Sequence, residues 1–345
     1  MEQETNMLKN ARRKLGNTKR SLLRGFEKTL GNASPSSILA MYPIKSIVIE
    51  PTNICNLSCP LCPTPLSKRK KGVMSLSDFW KITGNLPSSI QTVDLYFSGE
   101  PLINKDLIKM VKSLAIRNIC SSVSTNGSLI GGKIKEILES GLSKLIIGVD
   151  AASEDTYKKY RIGGNFSILI DNIEKLVYEK KKRNLEYPLI VFQYIVMKHT
   201  EKEVDMAVSL AKDLNVDAIS LISVSLGTHR TNEEERKKLA SEYLPEDLTY
   251  SRYYLDRGEK LKIKWHHNYC PAWKSPVILW NGDMTTCCFD HDGLEVYGNI
   301  LRKNFNEIWK SREHSQKVKS ILFRKMKICK TCGLCTGDQN RYIKL

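Results

Sequence analysis

No run of eighteen or more apolar residues occurs in this 345-residue chain, so no helix of the kind that crosses a bilayer is expected. The basic N-terminus is not followed by the apolar core of a secretory signal, and the expected location is the cytoplasm. Internal repeats are missing, as is low complexity beyond short lysine-rich patches such as Lys68–Lys71 and Lys180–Arg183, which read as solvated faces. Acidic residues are in deficit: 37 Asp and Glu face 54 Lys and Arg, for a net charge of +17. That excess fits an anionic partner, whether nucleic acid, membrane surface, substrate or cofactor, and does not choose among them.

What is present is an ordinary globular composition, 41% hydrophobic and 26% charged, with length for roughly two domains. Ten cysteines in a reducing compartment are not expected to form a disulfide framework. They are unevenly placed: three lie within Cys55–Cys62, six follow residue 269, and Cys120 stands alone. Such clustering points to metal or iron–sulfur ligation at two places. Cys120 lies in an apolar stretch and reads as a small buried hydrophobe.

From residue 44 short apolar runs alternate with amphipathic ones. Strands are expected at Ser46–Glu50, Thr92–Phe97, Cys120–Ser124, Lys144–Val149, Leu189–Met197 and Ala218–Ile222. Helices are expected near Leu76–Leu86, Lys105–Arg117, Gly132–Ser140, Phe166–Lys182 and Glu201–Leu214. This alternation defines an α/β protein with a parallel sheet, either an open doubly wound sheet or a barrel. Six units are visible, two short of a closed eight-unit barrel. Three segments result: a basic extension over 1–42, the α/β region over 43–227, and a polar linker with a cysteine-bearing domain over 228–345.

The first cluster reads Glu50-Pro51-Thr52-Asn53-Ile54-Cys55-Asn56-Leu57-Ser58-Cys59-Pro60-Leu61-Cys62 and begins where the first strand ends. Three thiolates can hold three irons of a four-iron cluster and leave the fourth iron open to a substrate group. A zinc knuckle or redox pair is the alternative, but zinc needs a fourth ligand and no His lies in the stretch. The C-x3-C-x2-C spacing after a first strand, preceded by Pro-Thr-Asn, resembles the cluster loop of the radical S-adenosylmethionine superfamily. The later strand ends agree. Ser98-Gly99-Glu100-Pro101-Leu102 resembles the family's Gly-Gly-Glu motif with Ser in place of the first Gly, where the resemblance implies that the methionine amino group is received. Ser124-Thr125-Asn126-Gly127 is similar to the segment that touches the cofactor's carboxylate and ribose, with Ser124 and Asn126 as the contacts. Asp150 matches the position that binds the ribose hydroxyls, and Arg161 one that pairs with the methionine carboxylate. Each has a plainer reading: Gly127 as a turn, Asp150 as a helix cap, Arg161 as a surface ion pair.

The resemblance implies a partial (β/α)6 TIM-like barrel. It implies a SAM-cleaving 4Fe–4S cluster on Cys55, Cys59 and Cys62, whose open iron is chelated by the amino and carboxylate groups of S-adenosyl-L-methionine. Reductive cleavage then yields a 5′-deoxyadenosyl radical that abstracts hydrogen.

The C-terminal region contains Cys270-Pro271-Ala272-Trp273, then Asn281-Gly282-Asp283-Met284-Thr285-Thr286-Cys287-Cys288, and finally Cys329-Lys330-Thr331-Cys332-Gly333-Leu334-Cys335. Gly282-Asp283 reads as a hairpin turn. Four thiolates from two regions suit either structural zinc or a fully ligated four-iron cluster. Beside the first half, the region resembles the SPASM/twitch auxiliary-cluster domain in its one-cluster form. The resemblance implies Cys270, Cys287, Cys329 and Cys332 as ligands of an auxiliary 4Fe–4S cluster. Cys288 and Cys335 remain as packing thiols, substitute ligands or hydrogen-atom donors to a substrate radical. Asp290, with His291 beside it, is a candidate base near that cluster, or a turn residue; His266 and His267 are alternative ligands or strand-edge residues.

Residues 1–34 carry eight Lys or Arg against three Glu, with Leu8, Leu15, Leu22, Phe26 and Leu30 at helical spacing. That pattern fits a helix docked on the barrel, with an anionic membrane surface as the second reading. The function implied is a radical SAM enzyme of oxidoreductase type, acting on a small polar metabolite or peptide and oxidising it through the auxiliary cluster. A flavodoxin or ferredoxin would be the reducing partner. The alternatives are an epimerase, crosslinking or methylating enzyme whose auxiliary cluster positions substrate, and, from another class, a zinc-binding nucleic-acid interaction protein. On the leading reading no nucleic acid is expected.

Overall fold

The computed structural model describes residues 43–226, 233–256, 260–264, 275–316 and 340–345. Six parallel strands run in chain order across its sheet: β1 (Ser46–Ile49), β2 (Thr92–Asp94), β3 (Cys120–Thr125), β4 (Lys144–Gly148), β5 (Leu189–Val196) and β6 (Ala218–Ser223). Helices cover them: α1 (Leu76–Gly84), α2 (Leu107–Ile116), α3 (Ile134–Leu138), α4 (Glu154–Tyr160), α5 (Phe166–Lys182) and α6 (Val204–Asp213). The expected strands and helices are found within a few residues of their predicted bounds. The strands are buried at alternate or successive positions, and the apolar stripes of the helices pack against them. In α5, capped by Asn165 Oδ1 on Ile168 N at 2.9 Å, Leu169, Ile173, Leu176 and Val177 face inward. They meet Ile147 and Phe192 of the sheet in one continuous core.

Four details depart from the sequence reading. β2 stops at Asp94, so Phe97 and Ser98 leave the ladder and lead into the site. α4 is only seven residues long, too short for a periodic signal, yet it starts on the Ser153 cap and buries Tyr157 and Tyr160. Part of the expected polar linker is instead a helix, α7 (Glu233–Tyr243), whose few apolar residues Leu239, Ala240 and Tyr243 are all buried. Cys120 is exposed, because it opens β3 at the end of the sheet where the helices no longer cover it.

Beyond α7 a separate two-stranded hairpin forms from β7 (Tyr253–Asp256) and β8 (Lys260–Ile263). Then β9 (Val277–Ile278) pairs parallel to β1, and β10 (Asp283–Thr285) turns back on it through Gly282, as the Gly-Asp turn predicted. β11 (Gly298–Asn299) and α8 (Phe305–Trp309), the latter with an Asn304/Glu307 capping box, complete this part. The last residues form β12 (Asn340–Lys344), antiparallel to β6. One ten-stranded sheet results, in the order β11-β10-β9-β1-β2-β3-β4-β5-β6-β12. Both edges of the parallel run are therefore paired with C-terminal segments, and the short strands β11 and β12 become the edges of the sheet.

Candidate active site

The site lies at the carboxyl ends of the parallel strands, where loops emerge. The loop after β1 carries Cys59, buried, with Cys55 and Cys62 half-buried. Its path is fixed by polar contacts to residues 64–72: Asn53 Oδ1 accepts from Gly72 N at 2.8 Å, Asn53 Nδ2 donates to Lys70 O at 2.9 Å, and Lys71 Nζ donates to Thr64 O at 2.6 Å. Arg69 grips the fully buried Glu50 carboxylate with two guanidinium hydrogen bonds of 2.8 and 2.6 Å. The Lys68–Lys71 run is thus not simply a solvated face, since two of its cations pin the cysteine loop. In the Lys180–Arg183 run Lys181 and Lys182 are exposed as expected, but Lys180 is buried on Asp217 at 2.8 Å.

N–H donors point at the sulfurs. Cys55 Sγ accepts from Leu57 N at 3.4 Å and from Asn126 Nδ2 at 3.9 Å, and Cys59 Sγ accepts from Arg161 Nη1 at 3.8 Å. Burial pushes both thiols up, Cys59 to about 11, with the Arg161 charge opposing it there. A cavity of about 390 Å³ opens beside Cys59 and Cys62 beneath Tyr243 of α7. Among the described residues no three His, Cys, Asp or Glu side chains converge on a single metal ion. Three cysteines on one loop with N–H donors at two of their sulfurs suit cluster thiolates, each of which binds its own iron.

The end of β2 packs directly on this loop. Gly99 has φ +76°, and a Cβ there would lie 2.6 Å from Thr52 O and 2.7 Å from Ile54 O. Only glycine fits a left-handed residue pressed onto another backbone. Glu100 N donates to Ile54 O at 2.8 Å. The Glu100 carboxylate is buried and accepts from Leu102 N at 3.0 Å, Thr125 Oγ1 at 2.7 Å and Asn126 N at 2.7 Å. Burial raises its pKa, while those donors oppose the rise. Three of a carboxylate's roughly four lone-pair directions are taken, so it organises the β3 end as well as facing the site. Asn126 continues from there to Cys55 and to Asn56 Oδ1 at 2.9 Å. Ser124 is half-buried on β3, opposite Ile146.

Asp150 and Arg161, expected to face two different groups of the cofactor, here face each other. Asp150 is buried with φ +59°, and one oxygen pairs with Arg161 Nη2 while the other accepts from Ile195 N at 2.8 Å. Burial raises the Asp150 pKa against the pull of Arg161. Gly148 makes the pair fit: a Cβ there would meet Arg161 Nη2 at 2.2 Å. Arg161 is therefore in an ion pair, but not a surface one.

In the C-terminal part Cys287 is buried and Cys288 exposed. Asp290, expected to be a candidate base or a turn residue, holds its own turn. Its carboxylate accepts from Thr285 Oγ1 at 2.8 Å, Leu294 N at 2.8 Å and Glu295 N at 3.0 Å, which ties down the turn after Cys288. The neighbouring His291 reaches the barrel: its Nδ1 is 3.1 Å from Ser98 Oγ and its ring stacks on Phe97 at 4.6 Å. Cys270, Cys329, Cys332 and Cys335, with His266, His267 and residues 1–42, lie outside the described residues.

Glu50, Arg69, His291 and His199 were not singled out as a set by sequence. Glu50 and Arg69 carry a faint signal, a lone acid closing an apolar strand and an Arg within a Lys run. His199 follows β5, and its Nε2 is buried without a hydrogen-bond partner.

A parallel six-unit sheet with a cysteine loop after its first strand, touched by motif residues from the next two strand ends and by Arg161 after α4, defines a cluster-bearing barrel enzyme of the S-adenosylmethionine-cleaving kind. Residues 49–211 match the radical SAM superfamily, and residues 270–336 match SPASM, an iron–sulfur cluster-binding domain. The chain belongs to the radical SAM superfamily and carries this auxiliary-cluster domain, so its cofactors are 4Fe–4S clusters and S-adenosylmethionine. A probable GTP 3′,8-cyclase of Saccharolobus islandicus is 24% identical over 287 residues, covering 77% of this chain and 89% of that protein. The tungsten-containing aldehyde ferredoxin oxidoreductase cofactor-modifying protein of Pyrococcus furiosus is 23% identical over 305 residues, covering 79% and 82%. Among solved structures, Streptococcus suis SuiB bound to S-adenosylmethionine superposes with TM-score 0.61 at 15% identity, covering 82% of this chain and 70% of its own. BtrN in complex with AdoMet and 2-DOIA gives TM-score 0.52 at 19% identity, covering 86% and 94%. These share the fold: a partial TIM-like barrel with a small C-terminal iron–sulfur domain. No helix among the described residues is long and apolar enough to cross a membrane.

Proposed function

We propose that this enzyme cleaves S-adenosylmethionine reductively and abstracts hydrogen from a small polar metabolite or peptide, which is then oxidised with the help of the auxiliary cluster. The observation that carries the reading is convergence: Gly99 packs on the cluster loop, Asn126 reaches Cys55, and Arg161 reaches Cys59. When bound, the cluster at Cys55, Cys59 and Cys62 supplies the electron that splits the cofactor's sulfonium. The chain's part is to hold and orient. Ser98, Gly99 and Glu100 offer backbone and carboxylate acceptors to the cofactor's ammonium, while Ser124 and Asn126 contact its polar groups. Asp150 and Arg161 exchange their mutual pairing for the ribose hydroxyls and the methionine carboxylate.

In this proposal Cys270, Cys287, Cys329 and Cys332 hold the auxiliary cluster within a domain over 228–345, and the barrel spans 43–227. Cys288 and Cys335 are then spare thiols, serving as packing groups, substitute ligands or hydrogen-atom donors to a substrate radical. A flavodoxin or ferredoxin supplies the electron. A second reading, bond formation with the auxiliary cluster positioning substrate, is favoured by the relatives named as GTP 3′,8-cyclases and by the net charge of +17, which suits an anionic substrate.

The test is anaerobic iron–sulfur reconstitution followed by an assay for 5′-deoxyadenosine. About eight irons per chain are expected, falling to about four when Cys55, Cys59 and Cys62 are replaced by Ala. A zinc-only protein that makes no 5′-deoxyadenosine overturns the reading. Product analysis with and without an external electron acceptor separates oxidation from bond formation.

A further inference from the structure

The C-terminal part places a histidine against the edge expected to receive the cofactor. Ser98 is buried, at 4% exposure, and a hydroxyl in that position needs a partner. Its Oγ lies 3.1 Å from His291 Nδ1, a residue 193 positions further along the chain. Ser98 is also the one position where the motif departs from the Gly-Gly-Glu it resembles. The extra hydroxyl and the histidine account for each other.

The histidine is built in on three sides. Its ring lies nearly parallel to Phe97, 4.6 Å away with 21° between planes, which sets the direction of Nδ1. Its carbonyl accepts from Arg69 Nε at 2.6 Å, and Arg69 is itself locked on Glu50 at the end of β1. The turn that delivers it is held by the Asp290 carboxylate. The Ser98–Gly99–Glu100 edge is thus gripped from two directions: the cysteine loop on one side, through Glu100 N and Ile54 O at 2.8 Å, and the C-terminal domain on the other.

We propose that His291 is a positioning residue for the cofactor: through Ser98 Oγ it holds the Ser98–Gly99–Glu100 edge in the geometry that accepts the ammonium of S-adenosylmethionine. This rests on the proposed function, and it gives the C-terminal domain a role at the first cluster site besides carrying the second.

The experiment measures the dissociation constant of S-adenosylmethionine by equilibrium dialysis on the anaerobically reconstituted full chain. Variants are Ser98→Gly, His291→Ala, the double variant and His291→Asn, each checked for iron content and melting temperature. Each single removal is expected to weaken binding about fivefold, the worth of one net hydrogen bond. The double variant is expected to lose no more than either single one, because both remove the same contact. His291→Asn, which keeps a polar atom near the Nδ1 position, is expected to recover most of the affinity. Unchanged affinity in Ser98→Gly and His291→Ala, with tight binding by the unaltered chain, overturns the inference alone. Losses that multiply to about 25-fold in the double variant also overturn it. If His291→Ala fails to load iron, Ser98→Gly decides by itself, since it removes the hydroxyl and leaves the histidine and its turn in place. No binding by the unaltered chain overturns the functional reading and this inference together.

Discussion

Arg161 joins two parts of the site: one guanidinium nitrogen pairs with the buried Asp150 carboxylate, and the other donates to Cys59 Sγ at 3.8 Å. The strand end that presents Asp150 and the loop that presents Cys59 are thereby tied by one side chain. The two buried charges satisfy each other.

Asp150→Asn leaves the Arg161 charge buried without its counter-charge. The expected loss is about 3–5 kcal/mol of stability, read by denaturant unfolding under anaerobic conditions. Asp150→Asn combined with Arg161→Met is expected to be more stable than Asp150→Asn alone. If the single variant is as stable as the parent, the pair contributes nothing to the fold.

Arg69→Met tests the second buried pair. It strands the Glu50 carboxylate, which Trp280 N also holds at 3.1 Å, and releases the carbonyl of His291. A loss of similar size, about 3–5 kcal/mol, is expected in the same unfolding measurement. Arg69→Lys is expected to recover only part of it, because an ammonium cannot match the two-pronged contact.

Gly99→Ala introduces a Cβ 2.6 Å from Thr52 O at a residue with φ +76°. The backbone must shift, so the expected cost exceeds about 1 kcal/mol and the cofactor affinity falls with it. Differential scanning calorimetry and dialysis binding read the two effects. A variant with unaltered melting temperature would show that the loop yields freely.

His199 supplies a pH dependence. Burial lowers its pKa below the usual 6.5, with the Lys159 charge adding to the shift. The unfolded chain therefore takes up the proton first as pH falls, and stability should drop as pH descends through 6.5 and be level above it. His199→Gln is expected to flatten that slope in melting temperatures taken from pH 5 to 8. An unchanged slope would assign the dependence to other groups.

Much of the framework was legible because it is written locally. Alternation of apolar runs marked all six parallel strands, and Gly282-Asp283 marked the β9–β10 turn. Two kinds of element escaped. α4 is too short to show a period, and α7 is so polar that its buried residues, Leu239, Ala240 and Tyr243, do not stand out from its charges. Asp290 stayed open between two readings for a different reason: a carboxylate after a cysteine pair looks the same in sequence whether it serves a substrate or its own turn, and the turn contacts appear only with the three donors around it.

The sequence by itself determined the six-unit α/β order, the three-cysteine loop after β1, and the succession of Ser98–Gly99–Glu100, Ser124–Gly127 and Asp150 after the following strands. These depend on hydrophobic period and on spacing along the chain, which are local. Only the tertiary structure decided who pairs with whom: Arg161 with Asp150, Arg69 with Glu50, His291 with Ser98, β9 on β1, and β12 on β6. Those choices depend on which strand ends the curled sheet brings within reach of one side chain. Burial then makes each pairing matter, since a charge or hydroxyl taken from water must find its partner there.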